Sequence, residues 1–175
     1  MIFSPLSLAG TWTIDLDRHA DERGFFARTF DLALLEGAGM VSAYPQHSVA
    51  FNSAAGTVRG MHFTYAPYEE TKIVRCTRGA VFDVIVDIRP QSATFRSAVG
   101  IELSAENGRA LYIPAGCAHG YQTLADASEV LYLITPPYVT GYAGGLRYND
   151  PLLGIAWPLP VTIISERDLA WPLLA

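Results

Sequence analysis

Between residues 80 and 88 apolar and polar side chains alternate. A pleated strand there sets Phe82, Val84, Val86 and Ile88 on one face, and Asp83 and Asp87 on the other beside Val81 and Ile85. A carboxylate among aliphatic neighbours is expensive unless it is paired. Two readings of that face follow: the aspartates lie on a solvated face or make structural hydrogen bonds, or they belong to a polar site inside a barrel. Runs rich in Val, Ile, Leu and Tyr predict further strands over 72–76, 99–103, 111–113 and 130–134. In the last of these Val130, Tyr132 and Ile134 share a face, which sets the Tyr132 phenol in a largely apolar wall.

One short helix is expected over 31–37, capped by Asp31 and stopped by Gly37 and Gly39. Residues 141–153 read as loop, and 155–164 as a late extended segment interrupted by two prolines. Short strands separated by Gly, Pro, Asn and Asp describe an all-β sandwich or barrel. No repeat, low-complexity tract or linker divides the chain, so residues 1–175 are expected to form a single domain.

Half of the 175 residues are apolar and only 17% are charged, below the roughly 25% of an average soluble domain, which excludes disorder for the chain as a whole. Prolines and glycines break every long uncharged stretch, so no transmembrane helix is expected. Ser4, Pro5, Ser7 and Gly10 interrupt the N-terminus too early for a signal peptide, and a cytoplasmic location is expected. A net charge of -5 provides no basic field for nucleic acid. Cys76 and Cys117, far apart and without CxxC spacing, read as small packed hydrophobes rather than a disulfide or half of a zinc site.

Gly108, five residues, Pro114-x-Gly116, two residues and His119 form the most specific local pattern. It resembles the second motif of the cupin jelly-roll barrels, in which a Pro/Gly turn delivers the histidine into the barrel. The matching first motif would run from Gly56 to His62, but Thr64 stands where its second histidine belongs. A cupin metal site takes three or four ligands. Only His62 and His119 stand at ligand positions, and Glu69 or Glu70 would have to complete the set, so the expectation is a metal-free interior whose histidines serve acid–base chemistry.

Seven blocks, in order, extend the resemblance over nearly the whole chain: DERGFF at 21–26, GTVRGMH at 56–62, KIVRCTRG at 72–79, DVIVDIR at 83–89, IPAGCAHG at 113–120, RYNDP at 147–151 and ISERD at 164–168. The sequence resembles the dTDP-4-dehydrorhamnose 3,5-epimerase family of deoxysugar biosynthesis. That resemblance implies a cupin-type jelly-roll with one or two short helices, no cofactor, a nucleotide-sugar substrate and a homodimer in which an N-terminal strand or loop crosses to the partner. It also implies epimerisation at C3, C5 or both of a 4-keto-6-deoxy sugar. A related sugar-nucleotide ketoisomerase and a metal-dependent cupin oxygenase are the alternatives.

On the same resemblance His62 matches the base, Asp168 the carboxylate that orients it, and Tyr132 the acid of the opposite face, with Tyr138 a second candidate for the acid. Lys72, Arg59 and His119 resemble the cationic cluster around the 4-keto oxygen, with Asp83 supporting His119. Arg23 and Arg167 would meet the pyrophosphate, and Gln46 matches a substrate-contacting amide. The chain departs from the family pattern at Arg28, Ser48, Thr64 and Ala143, positions that contact nucleotide or sugar rather than perform chemistry.

Overall fold

The computed structural model describes residues 1–174. Among them, in chain order, are β1 (Ile2–Pro5), β2 (Trp12–Asp15), β3 (His19–Asp21), β4 (Gly24–Phe26), α1 (Leu32–Gly37), β5 (Gln46–Asn52), β6 (Val58–Thr64) and β7 (Thr71–Arg78). There follow β8 (Ala80–Asp87), β9 (Ala98–Ser104), β10 (Ala110–Ile113), β11 (Cys117–Thr123), β12 (Ser128–Thr135), β13 (Ala143–Gly145) and α2 (Glu166–Leu169). Two antiparallel sheets, ordered β1-β2-β10-β7-β12-β5 and β13-β6-β11-β8-β9, make an all-β jelly-roll sandwich of the cupin type, and β3 and β4 form a separate hairpin.

The alternation in β8 explains how the sheets pack. Val81 and Ile85 point between the sheets, where they meet Val74, Leu111, Ile113 and Val130 of the other sheet in one core cluster. Phe82, Val84, Val86 and Ile88 point outward and are covered by Leu146, Leu153, Ile155 and Trp157 of the C-terminal region. Both aspartates are completely buried, so the solvated-face reading does not hold. Asp87 accepts hydrogen bonds from Arg89, Ser92 and Thr94 at the end of its strand. Asp83 faces the interior. The outer face of the six-stranded sheet packs Ile14, Ile73 and Tyr112 beneath Leu35 and Met40. Asp31 caps α1 by accepting from the Leu34 amide at 3.1 Å. Cys76 and Cys117 are free thiols buried in the core.

One expectation requires correction. Residues 141–153 include a strand, β13, which pairs with β6 through Ala143, Gly144 and Gly145. Its glycines gave no hydrophobic signal, and the structure supplies their reason. A Cβ on Gly145 would meet the Trp171 ring at 2.2 Å, and one on Gly144 the Phe63 ring at 2.6 Å. The segment 155–164 is irregular, joined to the sheets by a parallel bridge between Thr57 and Ile163.

Candidate active site

β6 and β11 carry the local irregularity on which the site is built. His62 is opposite His119 and Arg59 is opposite Tyr121, so three steps along β6 match two along β11. This is a β-bulge. Residues three apart in a regular strand face opposite ways, but the extra residue lets Arg59 and His62 line the same hollow. At the bulge the strands nearly touch: Gly60 has φ +130°, and a Cβ there would lie 2.6 Å from Gly120 Cα. Only glycine accommodates both conditions.

Between the sheets lies a cavity of about 270 Å³ lined by Arg59, His62 and His119 from the five-stranded sheet and by Lys72, Tyr132 and Ser48 from the six-stranded one. His62 also lines two adjoining hollows, of about 350 Å³ beside Arg167 and Asp168 and about 200 Å³ beside Glu70, Lys72, Tyr138 and Arg167. Two larger hollows of about 520 Å³ lie on the outer faces of the sheets and contain neither His62 nor Lys72.

His62 Nε2 lies 2.7 Å from Asp168 Oδ1. The other oxygen, Oδ2, accepts from the Gly60 amide at 3.2 Å. Ser165 caps α2 by accepting from the Asp168 amide at 3.1 Å, which fixes the turn that presents the carboxylate. Burial is the largest single influence on Asp168 and works against its ionisation, but the hydrogen bond and charge of His62, with the bonds to Gly60 and Ser165, together outweigh it and hold the carboxyl below its ordinary range.

A second histidine–carboxylate pair lies deeper. His119 Nε2 is 2.9 Å from both oxygens of Asp83. Here burial dominates and pushes the Asp83 carboxyl upward, with His119 and Lys72 only partly offsetting it. The Lys72 ammonium is buried as well, 3.0 Å from Glu70 Oε2. Tyr132 stands 6.0 Å from His119, ring centre to ring centre, and burial raises its phenol well above the ordinary tyrosine value.

Arg167 is exposed and stacks 5.5 Å from the Trp171 ring centre. Gln46 Oε1 accepts from the Tyr138 amide at 2.7 Å, tying β5 to the loop that carries Tyr138 at the cavity mouth. Of the residues assigned a site role from sequence, Gln46 reaches the site only through Tyr138, and Arg23 stands apart. It sits on the exposed β3–β4 hairpin, paired with Asp21 at 2.6 Å, and lines none of these hollows.

Sequence reasoning overlooked two polar side chains. Asn52, buried at the end of β5, donates through Nδ2 to Tyr121 Oη at 3.1 Å and accepts through Oδ1 from Arg59 Nε at 2.8 Å. Tyr121 in turn interacts with the Tyr132 phenol. Glu70, a candidate metal ligand on sequence grounds, is instead the partner of Lys72. Among the described residues no three His, Cys, Asp or Glu side chains are gathered as a metal site would require.

Residues 5–175 match the family model described as dTDP-4-dehydrorhamnose 3,5-epimerase. The dTDP-4-dehydrorhamnose 3,5-epimerase of Sinorhizobium fredii is 40% identical over 99% of this chain and 90% of its own length. The crystal structure of the Bacillus anthracis dTDP-4-dehydrorhamnose 3,5-epimerase with TDP and PPi bound superposes with a TM-score of 0.95 at 35% identity, covering 99% of both chains. That of a 3'-monoepimerase from Streptomyces bikiniensis in complex with dTDP-quinovose gives 0.88 at 33% identity, over 97% of this chain and 86% of its own. Neither a ketoisomerase nor an oxygenase finds support in these relationships. With both sheets, the His62–Asp168 pair and the cavity in place, the chain belongs to the dTDP-4-dehydrorhamnose 3,5-epimerase family, a family of isomerases.

Proposed function

We propose that the protein inverts C3, C5 or both in a dTDP-linked 4-keto-6-deoxy sugar by removing a proton from one face of the ring and returning one to the other. The observation that carries this reading is the position of His62 and Tyr132 on facing sheets across one cavity, with Asp168 2.7 Å behind the imidazole. Inversion needs a base and an acid on opposite sides of one carbon, and two facing sheets supply that arrangement.

His62 is the base, and the Asp168 carboxylate favours the imidazolium formed as it takes the proton. The hydrogens flanking a ketone become acidic enough to remove when the enolate oxygen is met by fixed positive groups. Lys72 and Arg59 supply that field in a site partly closed to water, with His119 beside them in the cavity. Tyr132 returns the proton; Tyr138, exposed at the rim of the adjoining hollow, is better disposed to contact the substrate. Arg167 and Gln46 serve binding. The test is proton NMR in deuterated water with dTDP-4-keto-6-deoxyglucose: deuterium enters C3 or C5 of the epimerised product, and His62→Ala abolishes that exchange. Retention of exchange in the variant would remove His62 as base.

The working unit is a homodimer. Val49 and Phe51 on the edge strand β5 leave more than half of their surface exposed, at 58% and 53%, on the outer face of the six-stranded sheet. Phe25 and Phe26, at 54% and 70%, are exposed on the hairpin that carries Arg23. Docking of that hairpin on a second copy accounts for an arginine that matches a pyrophosphate ligand yet lies away from its own cavity.

A further inference from the structure

Tyr121 is 1% exposed and Asn52 3%, and neither belongs to the groups assigned above to base, acid or enolate stabilisation. The orientation of the Asn52 amide is fixed by its partners. Its oxygen faces the Arg59 Nε–H at 2.8 Å and its nitrogen faces the Ser128 carbonyl at 3.2 Å. With the amide locked, both of its ends remain within reach of the Tyr121 hydroxyl: Nδ2 donates to it at 3.1 Å, and Oδ1 accepts from it at 3.3 Å. The Tyr121 oxygen can therefore be held by Asn52 whichever way its single proton points. The Tyr132 phenol lines the same cavity and packs against the core cluster that contains Tyr121, and the two hydroxyls interact.

We propose that Tyr121 is a positioning residue for the reaction: its hydroxyl gives its proton's hydrogen bond to Asn52 while Tyr132 is neutral, and turns it to Tyr132 once that phenol has protonated the sugar. The inference rests on Tyr132 being the acid. Proton delivery breaks the Tyr132 O–H bond, forms the new C–H bond and leaves a phenolate in a poorly solvated wall. Tyr121 keeps its own proton throughout, and solvent restores the phenol. When the hydroxyl turns, Asn52 Nδ2 continues to donate to its oxygen, so no polar group is abandoned at the moment negative charge appears. Fixed groups that reorient by one bond rotation are cheaper than solvent that must be drawn into a closed site.

Tyr121→Phe removes the hydroxyl and keeps the buried ring, and Asn52 retains Ser128 and Arg59 as partners. Turnover of dTDP-4-keto-6-deoxyglucose by this variant is followed in deuterated water. A hydrogen bond to a charged oxygen implies a fall in kcat of about ten- to a hundredfold, with KM little changed. Because His62 still removes the proton and exchanges it with solvent, deuterium appears in recovered, unepimerised substrate at a higher ratio to product than in the unaltered enzyme. That rise in ratio is the signature of a slowed return step. Product formation and deuterium entry that decline in parallel, or that both stay unchanged, overturn the proposal. Absence of exchange in the unaltered enzyme would instead overturn the epimerase reading itself, and this inference with it.

Discussion

Asp168 Oδ1 lies 2.7 Å from His62 Nε2 although the two residues are 106 positions apart in the chain. The partner oxygen accepts from the Gly60 amide, so one carboxylate joins the α2 turn both to the imidazole and to the backbone of the bulge. Asp168→Asn keeps an oxygen for Gly60 and removes the charge. The expected result is a loss in kcat of roughly a hundredfold to ten-thousandfold, the range of a positioned acid–base group, with KM much less affected. Steady-state kinetics check this, and a change confined to KM would reassign Asp168 to binding. The folded pKa of Asp168 lies below its unfolded value, so its contribution to stability is present above the ordinary carboxylate range and is lost as pH falls through the lower, folded value.

Asp83 behaves oppositely. Its folded pKa is raised by burial, so the native state holds that proton more tightly than the unfolded chain. Stability from this group is full below the unfolded carboxylate value of about 4 and declines as pH rises towards the folded one. Asp83→Asn is expected to flatten that decline, seen as a smaller drop in the urea midpoint between acid and neutral pH. The same substitution lowers turnover, because an amide replaces the carboxyl that holds the His119 ring through both of its oxygens. An unaltered pH dependence of the midpoint would show that Asp83 is not the group responsible.

Gly60→Ala tests the close approach of β6 and β11. The new methyl group would sit 2.6 Å from Gly120 Cα, in a backbone conformation with φ +130°. Strain and overpacking together make a loss of at least about 2 kcal/mol the expectation. Chemical denaturation measures it. Activity is expected to fall further than stability, since His62 and Arg59 flank the displaced segment.

Mixing two inactive variants tests the exchange of hairpins. If Arg23 serves the partner's cavity, a chain carrying Arg23→Ala still has an intact His62, and a chain carrying His62→Ala still has an intact Arg23. Refolded or co-expressed mixtures then contain dimers with one working site, and activity reappears where each variant alone has little. Sedimentation of the unaltered protein as a monomer would contradict the arrangement at its root.

Alternation in β8 set Asp83 and Asp87 on one face in the sequence but left open whether that face was solvated; the structure buries both, with the opposite face covered by Leu146, Leu153 and Trp157. Tyr132 was similarly legible, because Val130 and Ile134 share its side of the strand. His62 and Arg59 were not, since regular period-two reasoning sends residues three apart to opposite faces, and the bulge that reunites them has no local signature beyond Gly60. Motif resemblance identified both residues where periodicity could not. Asn52 and Tyr121 escaped notice for a different reason, and Glu70 entered only as a candidate metal ligand. Asn52 and Tyr121 become informative only through each other, 69 positions apart, whereas Glu70 does so through Lys72, two residues on.

Trp171 lies against Gly145 and Arg167 stacks on Trp171, so the turn that presents Asp168 is held down by residues that follow it in the chain. Both sheets are complete at β13, before any of this segment exists. The strands that carry His62, Lys72, His119 and Tyr132 are therefore all made before the residue that supplies the His62 carboxylate. The imidazole–carboxylate contact thus ties an inner strand to one of the latest segments of the chain, and a chain interrupted ahead of Ser165 would lack the charge that stands behind His62.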